Sequence, residues 1–183
     1  NDFGLQAQVK LFSTAPADQD GIASLIGQHA ALHQAFSQRG HHGFVGGDVL
    51  VTPAPGAPPM VYAPAAALGL DQFGESYLQE ALAKITELQD LPLTWHFIGP
   101  IQSNKTRQIA STFSWVHSVD RLKVARRLSE QRDPDLPPLN ICLQVNINEE
   151  DSKSGCLLDQ LPQLAADIGE LPNLSLRGLM AIP

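Results

Sequence analysis

The sequence predicts an α/β fold built on a parallel sheet, and three observations predict it. From Phe73 onward, short apolar runs with strand character alternate with stretches of helical spacing. Every link from one run to the next is long enough for a crossover helix. Polar residues and glycines gather where the apolar runs end, as they do at the ligand-binding edge of parallel sheets.

The elements follow in order. Tyr77, Leu78, Ala81, Leu82, Ile85 and Leu88 recur at helical spacing, and Ser76 with Gln79 three residues on predicts a capping box. Leu93–Ile98 reads as a strand stopped by Gly99-Pro100, and a helix is expected over about Lys105–Phe113. Trp115–Val119 is the next strand, and Asp120 is expected to cap a helix carrying Leu122, Ala125 and Leu128. Asn140–Asn146 is a third strand. A helix over about Leu158–Ile168 tolerates Pro162 only in its first turn, and Leu174–Ile182 closes the series as a strand.

Upstream the statistics differ. Up to Gln72 the chain has only two basic residues, Lys10 and Arg39, and Thr52–Pro59 is too rich in proline for a helix or a regular ladder. Gly21–Phe36 could form an amphipathic helix, and Asp48–Val51 a strand. The organisation expected is therefore an irregular segment over 1–66, misread or disordered, and an α/β unit over 67–183, for which an open doubly wound sheet and a (β/α)8 barrel both remain open.

Composition narrows the function. Twelve basic against nineteen acidic residues give a formal charge of −7, which argues against an extended nucleic-acid or anionic-membrane surface. No apolar run approaches the roughly 20 residues of a membrane span. Cys142 and Cys156 form no Cys-x-x-Cys pair, so a cytoplasmic location without structural zinc is expected. His29 and His33 have helical metal-ligand spacing but no third ligand, and solvated surface is the plainer reading. No catalytic triad can be assembled.

The strand ends hold the candidate site residues: His96, Gly99, Ser118, Asn146, Asn148 and the segment from Met180 to Pro183. Ser76 either caps a helix or faces a ligand. His96 lies between Trp95 and Phe97, so alternation places it on the opposite sheet face from both aromatics. Packing and ligand contact both remain open for it. The loop from Gly99 to Lys105 could hold an anion at a helix N-terminus but lacks P-loop spacing. Asn146–Gly155 fails as a calcium loop, while the amine of Lys153 could reach a phosphate or carbonyl ligand.

Five strings carry a resemblance when taken together and in order. They are Phe73-Gly-Glu-Ser-Tyr-Leu-Gln-Glu80, Trp95-His-Phe-Ile-Gly-Pro-Ile-Gln-Ser-Asn-Lys105, Val116-His-Ser-Val-Asp120, Ser152-Lys-Ser-Gly155 and Arg177-Gly-Leu-Met-Ala-Ile-Pro183. Over about Ala67–Pro183 the chain resembles the pyridoxal 5'-phosphate homeostasis protein family, also called YggS or PROSC. The resemblance implies a parallel (β/α)8 TIM-type barrel of the alanine racemase N-terminal type. It also implies pyridoxal 5'-phosphate (PLP) at the carboxyl ends of the strands, and a non-catalytic carrier or regulator of vitamin B6 with no catalytic residue and no metal. Ser76, His96, Ser118, Lys153 and Met180 match pocket or rim positions of the family, as do Asn104 and Lys105 on the rim. Ser76 stands where the family usually has Asn.

Two departures qualify what the resemblance implies. The family's PLP-linking lysine lies in a strand shortly before Phe-Gly-Glu, whereas Asp48–Pro59 contains no lysine. Family members also continue through further strands that carry phosphate-holding loops. The barrel is therefore expected to be incomplete, with an aberrant first strand, and to bind PLP weakly or not at all. Misread coding sequence upstream and a truncated C-terminus would explain both departures, and resequencing would test that. Two other readings are a PLP-dependent racemase-like enzyme and a non-binding truncated fragment. Racemisation needs an acid/base pair flanking the cofactor, and Tyr77 is the one tyrosine after Phe73. If folded, the protein is expected to be a monomer.

Overall fold

Seven strands join in one sheet whose spatial order is their chain order. The computed structural model describes residues 6–7, 51–52, 66, 71–147 and 153–181. The strands are β1 (Gln6–Ala7), β2 (Val51–Thr52), β3 (Gln72–Glu75), β4 (Thr94–Phe97), β5 (Trp115–Val119), β6 (Leu139–Val145) and β7 (Leu174–Ala181). β1 pairs antiparallel with β2, and every later pair is parallel. The helices α1 (Leu78–Glu87), α2 (Thr106–Thr112), α3 (Leu122–Gln131) and α4 (Leu161–Gly169) fill the links from β3 to β7.

Sequential order separates the two architectures that strand–helix alternation leaves open. A doubly wound sheet reverses its strand order at a switch point, and this sheet never does. Right-handed crossovers that always step the same way return on the same side, so all the helices cover one face. That is the half-turn-by-half-turn construction of a (β/α) barrel. Among the described residues, β7 has no second strand partner, so the sheet is open there.

Alternation assigns the faces. Phe73, Trp95, Phe97, Val116, Ile141 and Leu143 point to the helices and pack with Ile109, Phe113, Leu128 and Leu161 in one buried core. Phe97 meets Phe113 edge-on at 5.3 Å between centroids. The alternate residues, including His96 and His117, lie on the inner face. Irregular register between Val116 and Val119, and between Ile141 and Cys142, adds a residue locally in β5 and β7.

Several expected boundaries need correction. Tyr77 in extended conformation is the N-cap of α1, and Ser76 makes no capping bond, so the predicted capping box does not form. The cause lies one residue earlier. The buried Glu75 carboxylate holds Lys84 Nζ at 2.9 and 3.1 Å, which ties the end of β3 to the middle of α1 and starts the helix one residue late. Asp120 does not cap α3 either. Arg121 is the N-cap, and the Asp120 carboxylate takes Arg121 Nη1 at 2.6 Å. Helix α4 begins at Leu161 rather than Leu158, with Pro162 still in its first turn. The Gly21–Phe36 helix, the His29/His33 pair, Asn148, Ile182 and Pro183 lie outside the described residues, as does most of Asp48–Val51.

Arg132 locks the helical layer. Its guanidinium is buried and donates to Ala110 O at 2.5 Å, Phe113 O at 2.9 Å and Pro137 O at 2.8 and 3.0 Å. Two of these acceptors are carbonyls that the end of α2 leaves without helical donors. Burial lowers the Arg132 pKa, and neighbouring Asp133 partly opposes that. Arg132→Ala would leave the carbonyls of buried Ala110 and Phe113 without this donor, and an expected loss of about 2–4 kcal/mol should appear in urea unfolding. Arg132→Lys, which cannot reach all three acceptors, should recover only part of it.

Candidate functional site at the carboxyl ends of the strands

The chain segments that leave the carboxyl ends of β3, β4 and β5 touch through backbone. An ideal Cβ on Gly99 would lie 1.9 Å from Ser76 O, so only glycine permits this approach. The Ser118 hydroxyl donates to Gly99 O from the next strand. Ser76 itself is exposed, whereas His96, Ser118 and Met180 are buried.

The carboxyl end of β6 holds a second backbone clamp. Cys156 N donates to Gln144 O at 2.8 Å and Asn146 N donates to Cys156 O at 3.0 Å, so the returning chain runs beside β6 like a short parallel strand. Side-chain amides fasten the same segment. Gln144 Nε2 donates to Ser154 O at 3.0 Å, and Asn146 Nδ2 to Lys153 O at 3.4 Å. Gly155 has φ of +134°, and a Cβ there would fall 2.5 Å from Asn146 N. The clamp therefore fixes the backbone of Lys153 at the mouth of β6, next in the sheet to Met180 on β7, which pairs with Gln144.

Below the mouth the inner face is polar and aromatic. His96 Nδ1 meets His117 Nε2 at 2.8 Å, and His96 Nε2 meets Gln72 Oε1 at 2.8 Å. The His96 ring stacks on Trp115 at 5.3 Å and 13°, and Arg177 lies 5.8 Å from the centre of the same indole. Sequence reasoning placed His96 on this face correctly. It missed Gln72, Trp115, His117 and Arg177. The alternation Trp115-Val116-His117 carried the signal for two of them, but their strand register was not legible.

The residues chosen from sequence thus divide. His96 and Ser118 come together, linked through His117 and Gly99. Met180 and the Lys153 backbone form a second group around β6 and β7. Ser76 approaches the first group by its carbonyl rather than its hydroxyl. A separate cleft of about 560 Å3 lies on the helix side, bounded by Ser76, Tyr77, Phe97, Gln102, Lys105 and Ile109. Asn104 is exposed and takes no part in it. Among the described residues no group of three His, Cys, Asp or Glu side chains could hold a metal ion. No helix there is long and apolar enough to cross a membrane.

Comparison with known proteins joins this geometry to a lineage. Residues 55–183 match the family model for the alanine racemase N-terminal domain. The chain is 35% identical to PipY of Synechococcus elongatus, a structure solved with PLP bound, with a TM-score of 0.65 over 82% of this chain and 69% of that one. The chain belongs to the alanine racemase N-terminal domain family, in its PLP homeostasis (YggS/PROSC) branch. It is 71% identical over 117 residues to the PLP homeostasis protein of Pseudomonas aeruginosa, covering 64% of this chain and 51% of that one. It is 56% identical over 118 residues to the homonymous protein of Escherichia coli K12, covering 63% and 50%. The chain spans about half the length of these curated relatives. The (β/α) barrel expected from the motifs is thereby borne out for this family member.

Two predictions follow from the backbone contacts and from Cys156. Gly99→Ala must force the Ser76 carbonyl aside and should cost about 1–3 kcal/mol in urea unfolding. Gly169→Ala, with nothing within 4 Å of the added Cβ, should instead stabilise α4 by about 0.5–1 kcal/mol. Burial, reinforced by Asp120 and partly offset by a backbone hydrogen bond, pushes the Cys156 thiol up to about 11 from 9.0. Between those values the unfolded chain loses this proton while the folded one keeps it, so stability falls as pH rises. Urea titrations from pH 8 to 11 should therefore show a steeper loss for the wild type than for Cys156→Ala.

Proposed function

We propose that this protein takes part in PLP homeostasis in the cytoplasm as a carrier or regulator rather than a catalyst, acting as a monomer without nucleic-acid or membrane partners. The observation that carries the reading is the likeness to PipY, whose solved structure holds PLP, over the strands that form the mouth. The curated relatives that share this half of their length are named for the same role. In the proposed site Ser118 and Ser76 offer hydroxyl groups at the ends of β3 to β5, and His96, paired with His117 and Gln72, lies beneath them. Met180 offers an apolar wall, and Lys153 an amine on the clamped loop.

These residues fit non-covalent holding of the cofactor but not its family-type covalent attachment. The strand beside β3 is Val51–Thr52, and no lysine lies anywhere between Lys10 and Lys84. Lys84 cannot substitute, because its ammonium is buried against Glu75 on the helix side. When bound, PLP supplies an aldehyde, a phenolate oxygen and a phosphate, and the mouth residues would orient these polar groups. Among the described residues, the contacts given place no acid/base pair on opposite sides of the mouth, which a racemase-like reading would need.

Two measurements separate binding from attachment. Saturable quenching of tryptophan fluorescence by PLP is expected, and its absence would overturn the proposal. Borohydride reduction of the same mixture should leave less than stoichiometric adduct. Stoichiometric labelling at one lysine, located by peptide mapping, would show instead that this chain has its own covalent anchor.

A further inference from the structure

Asp71, Gln72, His96 and His117 form a hydrogen-bonded chain with one self-consistent direction. The Asp71 carboxylate only accepts, so the Gln72 amide nitrogen faces it at 3.0 Å and Gln72 Oε1 is turned to His96. That oxygen also only accepts, so His96 Nε2 carries a proton and donates it across 2.8 Å. A neutral His96 then presents a bare Nδ1, to which His117 Nε2 must donate, again across 2.8 Å. His117 is thereby fixed with its proton on Nε2 and its Nδ1 as an acceptor.

We propose that His96 and His117 constitute one acid–base site, directed by Asp71 and Gln72, that takes up a single proton immediately beneath the mouth. In the neutral pair each ring has one N–H. An added proton on His117 Nδ1 leaves both hydrogen bonds intact. The positive charge passes to His96 when the shared proton moves from His117 Nε2 to His96 Nδ1. A second proton would place an N–H on each of the two facing nitrogens, break the 2.8 Å contact and set two cations side by side. The pair therefore carries a charge of zero or +1.

The surroundings argue against a second charge. On the inner face, β7 contributes Arg177 above Trp115, whose cation opposes a second positive charge. β3 contributes Asp71 through Gln72, and β6 contributes the buried Cys142 by alternation. Glu75 and Lys84 pair with each other on the helix side. Both imidazoles are almost wholly buried, and His117 immediately precedes Ser118, which holds Gly99 O at the mouth. The site suits an anionic ligand whose binding is accompanied by uptake of one proton. It is a property of the described sheet and does not depend on the PLP reading.

Nitrogen-15 NMR of the histidine rings in the full chain tests the proposal directly. At pH 8 both His96 and His117 should show the Nε2–H tautomer. On acidification the two rings should titrate together, sharing one proton. A His117 Nδ1–H tautomer at pH 8, or two independent full titrations, would overturn it, and neither outcome requires a variant. Gln72→Glu places a carboxylate on His96 Nε2 and should raise the shared midpoint by about one pH unit or more. An unchanged or lowered midpoint in the folded variant would also overturn it.

Discussion

The constraint on which the rest depends is the direction of the crossovers. Parallel strands in chain order require each link to pass over the sheet and come back, and a fixed hand sends every link to the same side. One face is then sealed by helices and must be apolar, which Phe73, Trp95, Phe97, Val116, Ile141 and Leu143 satisfy. The other face faces the barrel axis and can carry polar groups only if each finds a partner within the sheet. His96 and His117 do so with each other and with Gln72. The same alternation that builds the core therefore concentrates hydrogen-bonding side chains under the mouth.

What was legible in the sequence follows that division. The helix-facing half of the pattern repeats locally, so strands at 115–119 and 139–145 and helices at 106–112 and 122–131 could be read within one or two residues. Caps were less legible because they compete with longer-range contacts. Ser76 has the right chemistry for a cap, but Glu75 is held by Lys84 nine residues away, and the helix begins where that ion pair leaves it. Asp120 loses its capping role differently, to an ion pair with its immediate neighbour Arg121. The inner-face network could not be read at all beyond His96, since Gln72 and His117 meet it only through the register of three separate strands.

The mouth is assembled mostly from backbone. Gly99 lies against the Ser76 carbonyl, Ser118 holds the Gly99 carbonyl, and the Lys153–Cys156 segment is bound through its own peptide groups. Such contacts fix position with little dependence on any one side chain's chemistry. At position 76 the contact with Gly99 uses the backbone carbonyl, which does not depend on the serine hydroxyl. Glycine is different. At 99 and 155 the absence of a Cβ is itself the contact, and no other residue can supply it.

This separation of cradle from anchor explains how the chain can retain one without the other. The contacts described at the mouth run among β3 to β7 and the segments that follow them. A family-type covalent anchor would come from the strand on the other side of β3, whereas the Gly99–Ser118 contact and the Lys153–Cys156 clamp use residues of β4 to β6 and the segments that follow them. Under the proposed role, the absence of lysine there would remove a bond to the ligand and leave the backbone contacts of the mouth in place. Under that role, affinity would rest on hydrogen bonds and on charge at the strand ends. In that setting a buried pair able to hold one positive charge weighs more heavily than it would beside a covalent link, because it is the element of the inner face that can change charge while keeping its own hydrogen bonds.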